Sequence, residues 1–293
     1  MKKLSFMQKS KILFIGLGRM GFYMSSHISK KKNYELYIYN RTKSVENRWL
    51  NSFTGKKFNF DKEIKFDFII TCVKDDNAIT SVVKKILKTQ CYKNNTILID
   101  HSTISIDRVM NIHKIISKYE FTFLDSPVTG GEEGAKIGTL STMIGGNLSK
   151  YKKSKSILYC YCKNVEHMGK IGSGQLAKFT NQILICGILY SISEAYLFSK
   201  KNKLNQKKLY NALKNGAAGS WQFINRYLTI TQNKFDFGFS TELMEKDLRY
   251  VLRQSNKNKL NLKLTKNVHS RYRKLISTKY KNQDTSSLIK SFS

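Results

Sequence analysis

The chain has 293 residues, of which 41% are hydrophobic and 12% aromatic. These values exclude a disordered chain and allow one large domain or two ordinary domains with buried cores. The formal net charge is +32, but the lysines are spread along the whole chain and there is a single proline, Pro127. This profile is typical of an AT-rich genome, and no basic arm or stripe is present, so we do not expect a nucleic-acid partner.

Buried strands are predicted at the apolar runs of residues 11–15, 34–39, 66–73, 96–100 and 121–125. Helices are predicted between them, at residues 22–31, 77–88 and 105–118. Strands that alternate with helices indicate βαβ units. The first half is therefore predicted to be an α/β Rossmann domain with a doubly wound, mostly parallel sheet.

The second half has the pattern of an all-α domain. A long helix is predicted at residues 175–201, and amphipathic helices follow at 206–215, 241–255 and 264–275. We place the boundary at the flexible segment 172–174 (GSG). The predicted organisation is a flexible N-terminal extension (1–10), a nucleotide-binding Rossmann domain (11–171) and a helical substrate and dimerisation domain (172–293).

The cysteines and histidines carry no metal or disulfide signature. There are five cysteines: Cys72, Cys91, Cys160, Cys162 and Cys186. Their number is odd and they form no CxxC pair, which indicates structural thiols in a reducing cytoplasm. The histidines show no ligand spacing, so no metal is expected. The N-terminus lacks the apolar core of a signal peptide, and the longest apolar run, residues 183–190, is too short to span a bilayer. We therefore expect a cytoplasmic protein without a membrane partner.

A GxGxxG motif follows the first predicted strand directly and precedes the first predicted helix. It consists of Gly16, Leu17, Gly18, Arg19, Met20 and Gly21. The first glycine allows a tight turn, the second lets the backbone approach a pyrophosphate, and the third permits close packing of helix and strand. The N-terminus of the helix adds free N–H donors. This segment is predicted to bind the pyrophosphate of a dinucleotide.

The end of the second predicted strand indicates which dinucleotide is preferred. Chains that bind NAD usually carry an acid there, which binds the ribose 2′-hydroxyl. This chain has Asn40, Arg41 and Thr42 instead. No carboxylate at that position repels a 2′-phosphate, and Arg41 can pair with one in a bidentate way. NADP is therefore the predicted cofactor, with NAD as the alternative.

Lys178 and Asn181 are three residues apart in the long helix, so they share one face. A lysine within an apolar helical stretch is costly to bury unless it faces a polar cleft. Desolvation there would lower its pKa and allow proton exchange near neutral pH. Lys178 is therefore a candidate acid/base residue.

Several segments together resemble the β-hydroxyacid dehydrogenase family, which includes 3-hydroxyisobutyrate dehydrogenase and tartronate semialdehyde reductase. They are GLGRMG (16–21), DSPVTGG (125–131), GSGQLAKFTNQ (172–182), FDFGF (235–239), EKDL (245–248) and DTSSL (284–288). The resemblance implies that Lys178 is the catalytic acid/base and that Asn181 orients the substrate. It also implies a carboxylate-binding loop at Thr129, Gly130 and Gly131.

The same resemblance implies further cofactor contacts. Ser102 and Thr103 match a segment on the nicotinamide side, and Val73 and Lys74 lie where the family usually has Leu-Pro. Lys246 matches a lysine that reaches the cofactor from the helical domain. Family members form homodimers or homotetramers, which is therefore the oligomeric state expected here.

The resulting functional hypothesis is an NADP-preferring oxidoreductase that interconverts a small β-hydroxy acid and its semialdehyde or keto form. A 6-phosphogluconate dehydrogenase is an alternative, but Thr180 stands where that family has histidine and the chain is short for its helical domain. Imine reductases rarely keep the lysine that is present here. The last alternative is a catalytically idle relative that binds a polyanion through the charge of +32.

Overall fold

The computed structural model describes residues 9–292. Residues 1–8, which form most of the predicted N-terminal extension, lie outside the described residues, and the first strand already begins at Ser10. Internal contacts divide the chain into two units. The first unit ends at Lys178 and the second begins at Phe179.

The first unit alternates strands and helices. In chain order its elements are β1 (Ser10–Ile15), α1 (Gly21–Ser29), β2 (Tyr34–Tyr39), α2 (Lys43–Ser52), β3 (Lys56–Lys57), β4 (Phe66–Thr71), α3 (Asp76–Thr89), β5 (Tyr92–Asp100), α4 (Ile106–Ile116), β6 (Thr122–Asp125), β7 (Val128–Thr129), α5 (Gly131–Ile137), β8 (Leu140–Gly145), α6 (Leu148–Leu158) and β9 (Cys162–Gly169). Helix α7 (Ser173–Lys201) starts in this unit and continues into the second.

Among the described residues the strands form one nine-stranded sheet in the order β3-β2-β1-β4-β5-β6-β8-β7, and β9 also pairs with β8. The pairs from β3 to β6 are parallel, whereas β8 is antiparallel to β6 and β7. Strand order reverses between β1 and β4, which is the topological switch point of a doubly wound fold. The predicted fold class is confirmed.

Both faces of the sheet are buried, which explains the uninterrupted apolar runs of the strands. In β1, Ile12 and Phe14 belong to the core on one face, and Leu13 and Ile15 belong to the core on the other. All four are at most 2% exposed. Successive side chains of a strand point to opposite faces, so a strand covered on both sides must be apolar at every position.

The second unit is all-helical, as predicted. After α7 it contains α8 (Gln206–Leu213), α9 (Trp221–Thr231), α10 (Thr241–Lys257), α11 (Lys263–Leu275) and a 3-10 helix (Thr285–Ser291). Its main core joins α7, α10 and α11 through residues such as Cys186, Leu248 and Tyr272, each fully buried.

Helix α7 is long and apolar enough to cross a membrane by length and composition alone. It has 29 residues, its most apolar 18-residue window has a mean hydropathy of 1.3, and 33% of that window is buried. The uninterrupted apolar run, residues 183–190, is only part of this helix. Cys186 and Leu189 lie in the core of the second unit, and the polar Gln182 and Ser193 are fully buried, so one side of this helix packs within the fold.

The predicted elements are all present, with ends that differ by a few residues. Several others were not predicted: α2, α5, α6, α9, the 3-10 helix, and strands β3 and β7 to β9. The glycine-rich segment 130–146 reads as a loop because neither a helical nor an alternating pattern dominates it. Its strand, β8, is instead defined by pairing with three neighbours in space.

Candidate active site

The parallel strands bring most of the predicted site segments to one edge of the sheet. Ile15 pairs with Thr71, Thr71 with Asp100, and Asp100 with Asp125, so β1, β4, β5 and β6 end in one row. Tyr39, the last residue of β2, pairs with Ile15 in the same row. We call this the carboxyl edge. Ligands of open α/β sheets bind outside such an edge.

The glycine turn after β1 meets the geometric demands of a dinucleotide-binding loop. Gly16 has φ +99°, and a Cβ there would overlap the Cys72 carbonyl. A Cβ at Gly18 would meet nothing within 4 Å, so the backbone is open to a ligand at this point. At Gly21 a Cβ would lie 2.9 Å from the Phe14 ring, which shows how closely α1 packs on β1. Leu17 is buried and Arg19 is exposed, with Met20 half-buried between the turn and the helix.

Asn40 connects the glycine turn with the end of β2. Its Oδ1 accepts a hydrogen bond from the Leu17 amide at 2.9 Å, and its Nδ2 donates to the Thr42 carbonyl at 3.0 Å. Arg41 and Thr42 are exposed beside it. The two segments predicted to hold the pyrophosphate and the ribose are therefore joined directly.

Glu46, in the first turn of α2, is an acid near this position that sequence reasoning missed. It is fully buried, and its Oε1 accepts a hydrogen bond from the Asn40 amide at 3.2 Å. Its Oε2 lies 3.4 Å from Lys43 Nζ and 3.1 Å from Lys57 Nζ. Two lysines thus compensate the carboxylate, and the exposed guanidinium of Arg41 remains at the surface.

A buried polar network supports the loops after β4 and β5. The Oδ1 of Asp100 accepts hydrogen bonds from Thr71 Oγ1 at 2.7 Å and from Ser102 Oγ at 2.6 Å. Ser102 Oγ in turn accepts from the Val73 amide at 2.9 Å. Burial raises the pKa of Asp100 to about 6, against the lowering effect of bonds from Ser102 and Thr71.

This network refines the predicted roles of the segments it connects. The Ser102 hydroxyl is engaged by Asp100 and Val73, so it supports the loop that begins at Val73. Thr103 is half-buried, and Lys74 is exposed at the tip of the neighbouring loop. Thr103 and Lys74 therefore have the more accessible side chains of the predicted cofactor contacts on these two loops.

His101 is a second buried titratable group of this edge. Its Nδ1 lies 2.6 Å from the Ser126 carbonyl and its Nε2 lies 2.8 Å from the Tyr161 hydroxyl. A carbonyl only accepts, so Nδ1 carries the proton and Nε2 accepts from Tyr161. Burial lowers the pKa of His101 to about 4, which keeps the ring neutral.

The predicted carboxylate-binding loop lies next to the glycine turn. Thr129 pairs with Ser141, and Gly130 and Gly131 follow with φ +122° and +65°. Helix α5 begins there and contacts α1, where His27 Nε2 lies 3.0 Å from the Ala135 carbonyl. Arg19 Nη1 of the glycine turn lies 3.9 Å from an oxygen of Glu132. The starts of α1 and α5 are thus neighbours.

Lys178 is carried by the first turns of α7, which are fixed to the carboxyl edge. The Asp125 carboxylate accepts hydrogen bonds from the Gly172 amide at 2.7 Å and from the Gln175 amide at 2.8 Å. The Gln175 side chain bonds to the backbone of residues 102 and 104. Lys178 is 7% exposed. The turn of α7 just before Lys178 is therefore hydrogen-bonded to Asp125 at the end of β6 and to the segment that follows β5.

Asn181 and Lys246, the remaining two predicted site residues, belong to a polar network in the second unit. Asn181 Nδ2 donates to Gln182 Oε1 at 2.8 Å, and Gln182 Nε2 donates to Asp247 Oδ2 at 2.6 Å. Lys246 Nζ lies 3.1 Å from Asp247 Oδ1, and Lys246 is 7% exposed. Sequence reasoning missed Gln182 and Asp247, although the polar Gln182 within an apolar helix was a usable signal.

The cysteines, the possible metal ligands and the glycine turn differ in the groups that each could hold. All five cysteines are free in the structure. Within the described part of the chain, no three His, Cys, Asp or Glu side chains form a group that could hold a metal ion. The open backbone at Gly18 and the crowded positions at Gly16 and Gly21 fit a dinucleotide.

Comparison with known proteins shows the family to which the chain belongs. The model of the NAD-binding domain of 6-phosphogluconate dehydrogenase matches residues 11–169, and that of the NAD-binding domain of NADP-dependent 3-hydroxyisobutyrate dehydrogenase matches residues 172–292. The chain belongs to the β-hydroxyacid dehydrogenase family. Its family membership supports an NAD(P)-dependent dehydrogenase with a nicotinamide cofactor.

Individual relatives extend over most of the chain. An uncharacterized oxidoreductase of Shewanella frigidimarina is 35% identical over 96% of this chain and 97% of its own length. A probable mitochondrial 3-hydroxyisobutyrate dehydrogenase of Dictyostelium discoideum is 31% identical over 80% of this chain and 76% of its own. The solved structure of Mycobacterium tuberculosis 3-hydroxyisobutyrate dehydrogenase with L-serine has a TM-score of 0.86 at 23% identity and covers 97% of this chain and 99% of its own.

Proposed function

We propose that this protein is an NADP-preferring oxidoreductase that interconverts a small β-hydroxy acid and its semialdehyde or keto form, with Lys178 as general acid/base. The observation that carries the proposal is the anchoring of Lys178's helix at the carboxyl edge, from which the glycine turn also departs. The presence of L-serine, a small acid with a β-hydroxyl, in the Mycobacterium tuberculosis relative supports the substrate class.

The chain's residues have separate tasks in this reaction. A nicotinamide cofactor held at the glycine turn would supply the chemistry of hydride transfer. The Thr129 hydroxyl and the amides of Gly130 and Gly131 hold the substrate carboxylate, and Asn181 orients the reacting end. In oxidation, the neutral Lys178 amine takes the hydroxyl proton while the C–H bond of the same carbon breaks. In reduction, the Lys178 ammonium returns that proton to the carbonyl oxygen as the new C–H bond forms.

NADP preference rests on the surface beside Asn40. Arg41 is exposed, and the buried Glu46 is compensated by two lysines, so the local charge facing solvent is positive. A 2′-phosphate carries negative charge and offers the oxygens that a guanidinium binds in a bidentate way. The second cofactor choice, NAD, would require a hydrogen-bond acceptor for the free 2′-hydroxyl at this position.

We also propose a homodimer or homotetramer in the cytoplasm. Helix α7 exposes large apolar side chains along one side, including Leu184 at 61% and Phe198 at 70%. Burial of these side chains against a partner subunit would stabilise the assembly by about 25 cal/mol for each Å² of apolar surface removed from water. A monomer in light scattering at micromolar concentration would contradict this part of the proposal.

The function is tested by oxidation of NADPH with glyoxylate, succinic semialdehyde, tartronate semialdehyde and methylmalonate semialdehyde. We expect turnover with at least one of them. Lys178→Ala should lower kcat by about 10²–10⁴-fold, the usual contribution of a general acid/base. The dissociation constant for NADPH should stay near the wild-type value, because the pyrophosphate contacts lie in the glycine turn.

Lys200→Ala is the matched control, since Lys200 is an exposed lysine near the other end of the same helix. Its kcat should equal that of the wild type. Full activity of Lys178→Ala would remove Lys178 from the assigned role. Salt-sensitive DNA binding without NADPH oxidation on any of the four substrates would instead favour the idle, polyanion-binding alternative.

A further inference from the structure

We propose that Gln175 is a positioning residue that fixes Lys178 relative to the segment of residues 102–104, which the family resemblance assigns to the nicotinamide side of the site. This inference deepens the proposed function and rests on it. The family resemblance gave no role to Gln175, and its side chain bonds to the backbone of Ser102 and Ile104. Its role follows from three hydrogen bonds that meet at one fully buried residue.

The Gln175 side chain pairs with the backbone after β5 in the way that a neighbouring strand would. Its Nε2 donates to the Ser102 carbonyl at 2.7 Å, and its Oε1 accepts from the Ile104 amide at 3.2 Å. One side chain thus satisfies a buried carbonyl and a buried amide two residues apart. A side-chain amide is the group that can do both at once, because it carries a donor and an acceptor.

The backbone of Gln175 is held independently by β6. Its amide donates to Asp125 Oδ2 at 2.8 Å, and the other carboxylate oxygen accepts from the Gly172 amide at 2.7 Å. Asp125 is buried, and burial raises its pKa against the opposing effect of bonds from Gly172 and Gln175. The first turn of α7 is therefore attached to β6 through Asp125 and to the segment after β5 through Gln175.

Lys178 follows Gln175 by three residues in α7, so the two side chains lie on the same face of the helix. Their separation along the helix axis is about 4.5 Å. A shift or rotation of the first turn is therefore passed on almost undiminished to Lys178. Misplacing a catalytic group by about 1 Å can cost up to about 10²-fold in rate. Ser102 and Thr103 belong to the same attached segment, so Gln175 sets both sides of the reacting centre together.

Two variants separate the positioning role from a general loss of stability. Gln175→Met keeps the length of the side chain but removes both hydrogen bonds. Gln175→Glu keeps an acceptor for the Ile104 amide. When the glutamate is ionised, however, its other oxygen faces the Ser102 carbonyl, and the hydrogen bond to that carbonyl is lost because both oxygens only accept. A protonated glutamic acid restores the donor, so the kcat of Gln175→Glu relative to wild type should rise as the pH falls.

The control is Leu189→Val, which changes a fully buried side chain of the same helix within the core of the second unit. It should lower the midpoint of thermal unfolding and leave kcat unchanged. This comparison shows whether weaker packing of α7 alone is enough to reduce turnover.

The first measurement is hydrogen exchange of peptides that cover residues 100–106 and 172–178, without substrate or cofactor. Gln175→Met should exchange faster in both peptides, and Leu189→Val should not. The second is steady-state kinetics with the substrate found active for the wild type. Gln175→Met should lower kcat by about 10–100-fold with a KM for NADPH within about twofold of wild type.

Unchanged exchange in residues 100–106 would overturn the inference. Faster exchange with unchanged kcat would also overturn it, because Gln175 would then have a purely structural role. If the wild type turns over none of the four substrates, the proposed function fails by itself. The wild-type assay thus tests the function, and the comparison of Gln175→Met with an active wild type tests the positioning role.

Discussion

The buried carboxylate of Asp100 makes a testable contribution to stability that depends on pH. Asp100 is fully buried, and burial raises its pKa from 3.8 to about 6. The folded protein therefore holds the Asp100 proton more tightly than the unfolded chain does. The stability that this proton provides is fully present below pH 3.8 and is lost as the pH rises through about 6.

The magnitude follows from the shift of about two pKa units. Each unit corresponds to about 1.4 kcal/mol, so the full change is about 3 kcal/mol. About 2 kcal/mol of this change falls between about pH 4.5 and about pH 7.5, and the rest falls at lower pH, where Asp100 of the unfolded chain becomes protonated. Asp100→Asn is neutral at every pH and keeps an oxygen that can accept from Thr71 and Ser102.

The assay is urea unfolding of the wild type and of Asp100→Asn across this pH range. Effects of the substitution that do not depend on pH cancel when the difference in free energy of unfolding is followed against pH. His101 works in the opposite direction, because its lowered pKa of about 4 removes stability as the pH falls, but it is present in both proteins. The difference, variant minus wild type, should rise by about 2 kcal/mol from the acid to the neutral end.

A flat difference would refute the reasoning, because Asp100 would then titrate alike in the folded and unfolded chains. A difference that falls with pH would mean that the hydrogen bonds from Ser102 and Thr71 outweigh burial. In that case the folded pKa would lie below 3.8 and the carboxylate would stabilise the protein at neutral pH.

Two further predictions concern the cofactor and the thiols. Arg41→Ala should raise the KM for NADPH by about 10-fold or more and leave the KM for NADH nearly unchanged, because charge-assisted pairs contribute about 1.5–3 kcal/mol. The control is Arg48→Ala, which removes an exposed arginine of α2. A wild-type KM that is lower for NADH than for NADPH would contradict the preference. In the native protein a disulfide reagent at pH 8 should label at most the two half-buried thiols. Burial protects the other three and raises their pKa to about 11 or 12: Cys91, Cys162 and Cys186. Rapid labelling of all five thiols would contradict this burial.

Sequence reasoning located the parts of the site that follow strands. The glycine turn and Asn40 each come directly after a buried apolar run, and a parallel sheet aligns the ends of such runs. The row from Ile15 to Asp125 follows from that rule once the strands are recognised. The fold class could therefore be predicted from the alternation of apolar runs and helical segments alone.

Contacts made by side chains across the fold could not be predicted in this way. Glu46 is a polar residue in a polar helix, and only its position against the Asn40 amide makes it part of the cofactor region. Ser102 was assigned to the cofactor, yet its hydroxyl is engaged by Asp100 and Val73. These partners are 2, 6 and 29 residues apart, so they follow no common spacing rule in the sequence.

Crowding around the Asp125 carboxylate limits how this enzyme can be altered. Gly145 and Gly174 approach it so closely that a Cβ at Gly145 would overlap Oδ1, and one at Gly174 would lie 2.8 Å from Oδ2. Any side chain at either glycine must push the carboxyl group or the start of α7 away. Libraries meant to broaden substrate range should therefore leave these three codons untouched.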